Sequence, residues 1–400
     1  MRGLIMVRPG TVALAAVLTL PGALAAQSLT STRGPGYPVI ATDARSMVLG
    51  GLGIGLQGFA APLVNPASVS HTRRRGAVVA LEAVDRNVRL GDAEDDVGTT
   101  RFPLIRVVFP VRGAVLTAGY GGYLDQSWGL MREGEQLVGD ETVGFVDQMR
   151  SEGGVGQFQA GAAVPIGPRV GVGASVGLNM GSQRVRYTRF FDTALDSYTE
   201  ALSWRYSGPT AQLGVRWAPM DIVHLGASVT WAGTLEGEPT DGRAEARELD
   251  LPLQLAAGAS GFLVPGLLAA VSGRWSGWSG TDASAVGLPG APDGAASRDT
   301  WEVGGGLEWA PARPTARRTF PLRVGFQYRQ LPFPFVDDAP TEWFAGAGAG
   351  IRVGADPVNP FALVDVGVQR GARTASGGGA LGDLTERLWR IAISISLFGN

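Results

Sequence analysis

Along most of the chain apolar positions alternate with small or polar ones at a spacing of two, the periodicity of a half-buried strand. Tight connections recur between these stretches: Pro110-Val111-Arg112-Gly113, Pro165-Ile166-Gly167-Pro168, Ala218-Pro219-Met220-Asp221, Val264-Pro265-Gly266, Pro311 to Thr319 and Ala355-Asp356-Pro357-Val358. In strict alternation with them come long polar runs: Leu90 to Thr100, Leu130 to Gly153, Phe190 to Ser197, Gly233 to Ala246, Gly280 to Arg298, Leu331 to Thr341 and Gly371 to Thr385. Short turns on one side and long loops on the other are the pattern of an antiparallel transmembrane β-barrel, with the short turns in the periplasm.

The alternation predicts about fourteen strands: Gly76 to Leu90, Arg101 to Phe109, Ala114 to Trp128, Gly154 to Val164, Arg169 to Arg189, Tyr198 to Trp217, Ile222 to Trp231, Arg247 to Phe262, Leu267 to Trp278, Trp301 to Trp309, Phe320 to Arg329, Glu342 to Val353, Phe361 to Arg370 and Glu386 to Phe398. In the last, Trp389, Ile391, Ile393, Ile395 and Leu397 share the face expected toward lipid. Arg390, Ala392, Ser394 and Ser396 share the lumen face. The stretch from Ile222 repeats this, with Val223, Leu225, Ala227, Val229 and Trp231 outward and His224, Gly226, Ser228 and Thr230 inward. Trp128, Trp231, Trp278, Trp301, Trp343 and Trp389 are expected in an outer aromatic girdle, and Trp217 and Trp309 in an inner one. A soluble sandwich or propeller needs polar outward faces, which these strands lack.

Composition sharpens this picture. With 60 Gly, 45% hydrophobic and 18% charged residues the chain is not a disordered one. Arg2 and Arg8, the apolar run Thr11 to Leu20 and Ala23-Leu24-Ala25 form a signal peptide over residues 1–25, so a mature protein beginning near Ala26 is expected in the outer membrane. Beyond it no apolar run is long enough for a spanning helix. The lack of cysteine excludes disulfides and thiolate metal sites, and only two histidines, His71 and His224, exclude a His-rich one. All 34 basic residues are Arg, a genomic codon habit, and no basic stripe suggests nucleic acid.

A barrel of about fourteen strands leaves a lumen to be filled or used as a pore. The residues before the first strand supply a plug, giving a division into an N-terminal hatch, 26–75, and a barrel, 76–400. This segment carries Ala44-Arg45-Ser46-Met47-Val48-Leu49-Gly50-Gly51-Leu52-Gly53-Ile54-Gly55-Leu56 and then Val64-Asn65-Pro66-Ala67-Ser68. It resembles the mature N-terminus of the long-chain fatty-acid transporter (FadL-like) outer-membrane family, where a Gly-rich stretch precedes Asn-Pro-Ala. Phe361 to Gly371 and Glu386 to Leu397 are similar at the other end.

The resemblance implies an outer-membrane channel passing hydrophobic small molecules, such as long-chain fatty acids, inward by diffusion without a cofactor, often with a lateral exit through a kink in the third strand. Asn65, Pro66 and Ala67 then belong to the hatch. Gly119, Gly121 and Gly122 permit such a kink or make room for the plug. The chain departs from the family in ending Leu397-Phe398-Gly399-Asn400, not on an aromatic residue, and in a Gly/Ala-rich lumen. The alternative is a related barrel acting as a scaffold, similar to the shuttle and attachment subunits of type IX secretion, with protein partners held by Leu130 to Gly153 and Gly280 to Arg298.

Other signals carry less. Gly53-Ile54-Gly55-Leu56-Gln57-Gly58 fits a dinucleotide fingerprint but lacks its βαβ setting. No Ser-His-acid set surrounds His71, and His224 follows a periplasmic turn, away from an outer-rim active site, so no enzyme is expected. Arg73-Arg74-Arg75 reads as a solvated boundary to the plug or a contact for anionic groups. Expected lumen-lining residues are His224, Arg274, Glu302, Glu308, Arg323, Arg329 and Asp365, as ion pairs or as selectivity filters.

Overall fold

The computed structural model describes residues 24–27, 34–56, 63–90, 93–192, 196–240, 244–281, 297–310, 320–334, 339–354, 360–376 and 383–399. The signal segment up to residue 23, the connections Pro311 to Thr319 and Ala355 to Val358, and residues 282–296 of one expected outer loop lie outside these.

Fourteen strands form the wall: β1 (Gly76–Leu90), β2 (Ala93–Val111), β3 (Ala114–Asp125), β4 (Glu141–Ile166), β5 (Val170–Phe191), β6 (Tyr198–Met220), β7 (Val223–Ala232), β8 (Gln254–Val264), β9 (Leu267–Ser276), β10 (Thr300–Trp309), β11 (Leu322–Gln330), β12 (Thr341–Val353), β13 (Ala362–Ala375) and β14 (Leu384–Phe398). Each pairs antiparallel with the next, and β14 pairs with β1 from Leu384↔Leu90 to Phe398↔Gly76, so the sheet closes. Closure removes every free edge, which the interior of a bilayer requires.

The alternation sorts as expected. Trp389, Ile391, Ile393, Ile395 and Leu397 are each 44 to 53% exposed, while Ala392, Ser394 and Ser396 are 1% exposed. Outward residues on every neighbouring strand are likewise large and apolar, including Val107, Leu116, Val176, Leu213, Val271, Val324 and Val366. Water tolerates no such band on a free-standing surface, and lipid requires one.

Several expectations need correction. In the expected loops Leu90 to Thr100, Leu130 to Gly153 and Gly233 to Ala246, residues 93–100, 130–138, 141–153 and 234–239 are strand. The β1–β2 ladder continues to Leu90↔Ala93, with Asn87 donating to Asp96 across it at 2.9 Å. A strand at Trp128–Val138 pairs with β4 from Trp128↔Ser151 to Val138↔Glu141. Above the lipid both faces of a strand meet water, so polarity rises while the pleat persists. On this outer extension Arg189 is held by both Asp147 oxygens at 2.6 and 2.7 Å and lies 3.9 Å over the Phe145 ring. Burial and the bond it donates to Asp147 push the Tyr187 phenol up to about 12. The expected strand from Arg247 is broken too, into Arg247–Asp250 and β8, at Pro252, which has no N–H for the ladder.

Trp231, Trp301, Trp343, Trp389, Trp217 and Trp309 are exposed outward, as girdles require. Trp128 and Trp278 are buried and leave the expected girdle. Both follow strand ends where the chain folds inward; Trp278 packs edge-on against Phe333, ring centroids 5.3 Å apart, in a cluster with Leu124, Val155, Trp204 and Tyr206.

If the outward band faces lipid, Ile393→Arg in mid-strand lowers barrel stability by about 2–4 kcal/mol. Urea titration of the barrel folded into vesicles measures this, and an unchanged midpoint refutes the lipid-facing assignment.

Candidate functional site

Residues 37–56 and 63–70 lie inside the barrel, with Ala44, Met47, Val48, Leu49, Leu52, Ile54, Ala67 and Val69 each at most 2% exposed. Among these described residues are a short helix, α1 (Ala44–Val48), and a 3-10 turn (Pro66–Val69). Asp43 caps α1, accepting from the Arg45 and Ser46 amides at 2.9 and 3.0 Å and from the Ser46 hydroxyl at 2.7 Å. After it Gly50 and Gly51 take φ of 102° and 85°, a region closed to most L residues, and turn the chain.

What this segment rests on is glycine. A Cβ at Gly325 of β11 would stand 2.0 Å from the Val48 carbonyl oxygen, and one at Gly304 of β10 2.1 Å from that of Gly50. At Gly226 of β7 it would be 2.4 Å from the Ile54 oxygen, and at Gly214 of β6 2.1 Å from Asn65 Oδ1. The inner segment thus packs backbone to backbone against much of the wall. Its polar groups are met there too: Gln369 donates to Met47 O at 2.8 Å, Ser260 to Gly55 O at 2.7 Å and Gln212 to Val64 O at 2.8 Å.

Most expected lumen charges converge in buried networks. Arg45 of α1 binds Glu308 at 2.7 and 3.0 Å; Arg323 binds Glu308 at 2.6 Å and Asp365 at 2.7 Å. Arg274 and Gln327 both donate to Glu302, at 2.8 and 2.7 Å. Arg329 joins Glu342 and donates to Pro38 O at 3.0 Å. Tyr37, Glu342, Arg373, Glu386 and Glu82, none of them among the expected lumen residues, join these networks, as does Arg390 on the expected lumen face of β14. Glu342 accepts from Arg373, which also reaches Glu386, and from the Tyr37 hydroxyl at 3.0 Å. The Tyr37 ring lies between Arg329 and Arg373, whose guanidinium carbons are 4.6 and 4.3 Å from its centroid. Arg390 donates to Glu82 at 2.6 Å. The signal available was phase, since each charge sits at an inward position of an otherwise apolar strand.

At the periplasmic end Asn65 caps the 3-10 turn through Ala67 N at 3.0 Å and donates to Val215 O at 3.1 Å. Pro66 and Ala67 press on the bare backbone of Gly173. His71 bonds Gly167 O through Nε2 at 3.1 Å, and its Nδ1 meets Arg216 of β6 and the Ser70 hydroxyl. His224 points inward near Arg216, its buried Nδ1 without a partner among the described residues. Among the described residues no group of three or more His, Asp or Glu is placed to hold a metal.

The third strand is irregular where its glycines lie. The β2–β3 ladder ends at Leu104↔Gly121, and the β3–β4 register slips between Gly122 and Leu124. Beyond that point Tyr37–Pro38 pairs with Leu124–Asp125, and Val39 N donates to Tyr123 O at 2.8 Å. Gly119 faces Leu63 and Gly122 faces Val39, so both also admit the inner segment. Two cavities lie behind this bulge. One of about 40 Å³ is lined by Val39, Ile40, Leu63, Val64, Gly121 and Gly122, and one of about 30 Å³ by Pro38, Trp278, Leu331 and Glu302; Tyr123 and Arg274 border both.

A closed fourteen-stranded cylinder with an apolar belt and a chain segment sealed in its lumen defines an outer-membrane β-barrel of the FadL-like fold. A sequence model of the BamG family matches residues 6–236, and the chain belongs to that family. No curated protein matches it. Among solved structures it is similar to a FadL homologue of Pseudomonas aeruginosa (13% identity, 90% of this chain and 99% of that one, TM-score 0.64). It is also similar to the toluene transporters TodX of Pseudomonas putida (15%, 90% and 98%, TM-score 0.57) and TbuX of Ralstonia pickettii (17%, 92% and 99%, TM-score 0.55). At such identities the likeness is one of fold.

Two outcomes follow. Gly325→Val drives a side chain into Val48 O and displaces α1, so the inner segment becomes protease-sensitive and liposomes carrying the variant leak small solutes, while the barrel stays heat-resistant on gels. Glu342→Ala leaves Arg329 without its carboxylate in the lumen and lowers stability by about 3–5 kcal/mol, read by guanidinium unfolding; a change within error contradicts the buried network.

Proposed function

We propose that this barrel is a passive conduit for hydrophobic small molecules across the outer membrane, with long-chain fatty acids the substrate class to test first. The observation that carries the reading is the bulge in β3, where one ladder ends and cavities separate the wall from the inner segment. Elsewhere strand glycines stand against the segment's backbone, whereas Gly119 and Gly122 meet only the side chains of Leu63 and Val39 in it, so motion is cheapest at Val39 to Ala41 and at Leu63. In the resting state the way is shut. A ligand arriving from outside is accommodated by these residues moving toward the lumen, with Asn65, Pro66 and Ala67 acting as the fixed end of the hatch, and leaves through the wall beside Gly121 and Gly122 or toward the periplasm. The step breaks no covalent bond and uses no cofactor. The toluene transporters of the same fold are named for a neutral hydrophobic cargo, which supports the class and leaves the fatty acid as the finer part of the proposal.

A second reading is favoured by a different observation. The lumen is lined by paired charges rather than by the large apolar side chains a hydrophobic pocket needs, while the hairpin of Trp128–Val138 with β4 stands in water and exposes Leu137 at its tip. These suit a scaffold that binds secretion or assembly proteins on its outer face.

Equilibrium binding of a fluorescent long-chain fatty acid to the detergent-purified barrel, with unlabelled competitor, separates the two. The conduit predicts saturable binding that Gly122→Leu, which fills the space against Val39, weakens at least about tenfold, or roughly 1.4 kcal/mol. Binding no stronger than the detergent background shifts the assignment to the scaffold.

A further inference from the structure

The three consecutive arginines at Arg73 to Arg75 are only partly consumed by the fold. Arg74 donates to Pro360 O at 2.8 Å and lies over the Phe398 ring at 5.2 Å, so it ties the chain to the β14 end. Arg73 and Arg75 are exposed, and no described residue pairs with their side chains. They are not alone. The next two periplasmic connections along the wall, β2–β3 and β4–β5, expose Arg112 and Arg169, also unpaired among the described residues. Strand pairing puts these connections side by side from β14 to β5, so four guanidinium groups that pair with no described residue lie on one arc of the rim. No described Asp or Glu lies on the connections of that arc; the described acidic residue in the next one, β6–β7, is Asp221.

The arc sits at a particular depth. Val111 immediately precedes Arg112, Ile166 lies three residues before Arg169, and Leu397 and Phe361 flank the Arg73–Arg75 corner; all four are 41 to 57% exposed and belong to the outward apolar band. The guanidinium groups therefore stand where hydrocarbon gives way to headgroups on the periplasmic side. We infer that this arc is a binding surface for the phosphate groups of anionic phospholipids in the inner leaflet of the outer membrane. Guanidinium pairs bidentately with phosphate and attracts it over a screened range. A basic protein surface in free solution would attract any polyanion. Four cations flush with the edge of a lipid belt meet phosphates first. The surface is independent of whether the lumen conducts.

Native mass spectrometry of the full-length barrel in micelles containing equal phosphatidylglycerol and phosphatidylethanolamine tests the inference. The expected result is retention of phosphatidylglycerol over phosphatidylethanolamine by at least about fivefold, the scale of one arginine's attraction near an anionic surface. The preference falls to parity in R73Q/R75Q/R112Q/R169Q and persists in R184Q/R186Q, which removes two exposed charges from the outer extension of β5. Heat-modifiable migration on gels checks that each variant is folded; should the fourfold variant not fold, the pairs R73Q/R75Q and R112Q/R169Q are each expected to lose part of the preference. Equal retention of the two lipids by the native barrel, or a preference undiminished by all the rim variants, overturns the proposal. So does displacement of the bound lipid by an equimolar acidic peptide, which would make the arc a protein-docking surface.

Discussion

Everything inside this barrel depends on how closely two backbones approach. The inner segment lies within van der Waals distance of strand backbone at Gly325, Gly304, Gly226 and Gly214, positions where even an alanine methyl would overlap a carbonyl or an amide. Such contact leaves no space for water, so each polar group of the segment needs a partner in the wall. Gln212, Gln369 and Ser260 provide them. The abundance of glycine, which in an ordinary strand weakens pairing, is here the condition for filling the lumen with chain.

The charges follow from the same crowding. Fourteen strands enclose more area than their side chains cover, and long arginines bridge what the segment leaves: Arg274, Arg323, Arg329, Arg373 and Arg390 of the wall, and Arg45 of α1, each meet a carboxylate on a strand. The networks around Glu308 and Glu342 join the inner segment, through Arg45 and Tyr37, to strands β10 to β14. Because an unpaired charge in such a place costs several kcal/mol, they act as fasteners on that side. The β3 side has Val39, Leu63 and two small cavities, with the longer Arg86–Asp125 pair at 3.8 Å near its outer end, and the contrast makes the interior stiffer on one flank than on the other.

The wall was readable in the sequence because its outward face must be apolar on every strand, and each of the fourteen expected strands has its counterpart. Reading stopped where that requirement stops. Above the belt, Ala93 to Thr100 and Leu130 to Gly153 keep their pleat but lose their apolar phase, and so look like loops. Trp128 and Trp278 share the position of girdle residues along the chain and differ only in the direction the following backbone takes. Of the interior, Glu302, Glu308, Arg323, Arg329 and Asp365 were visible from phase alone. Their partners were not, since Arg45 and Glu308 are brought together by register and not by spacing. The Asn65-Pro66-Ala67 stretch was legible as a motif, and the structure adds what it touches: Val215, Gly173 and Gly214.

The strands are very unequal in length. β4, β5 and β6 have 26, 22 and 23 residues, whereas β9, β10 and β11 have 10, 10 and 9. About 9–11 tilted residues are what it takes to cross a bilayer, so the short strands have no surplus with which to absorb a change in membrane thickness. They therefore fix the height at which the molecule floats, and a thicker bilayer would be felt first as hydrophobic mismatch along β9 to β11.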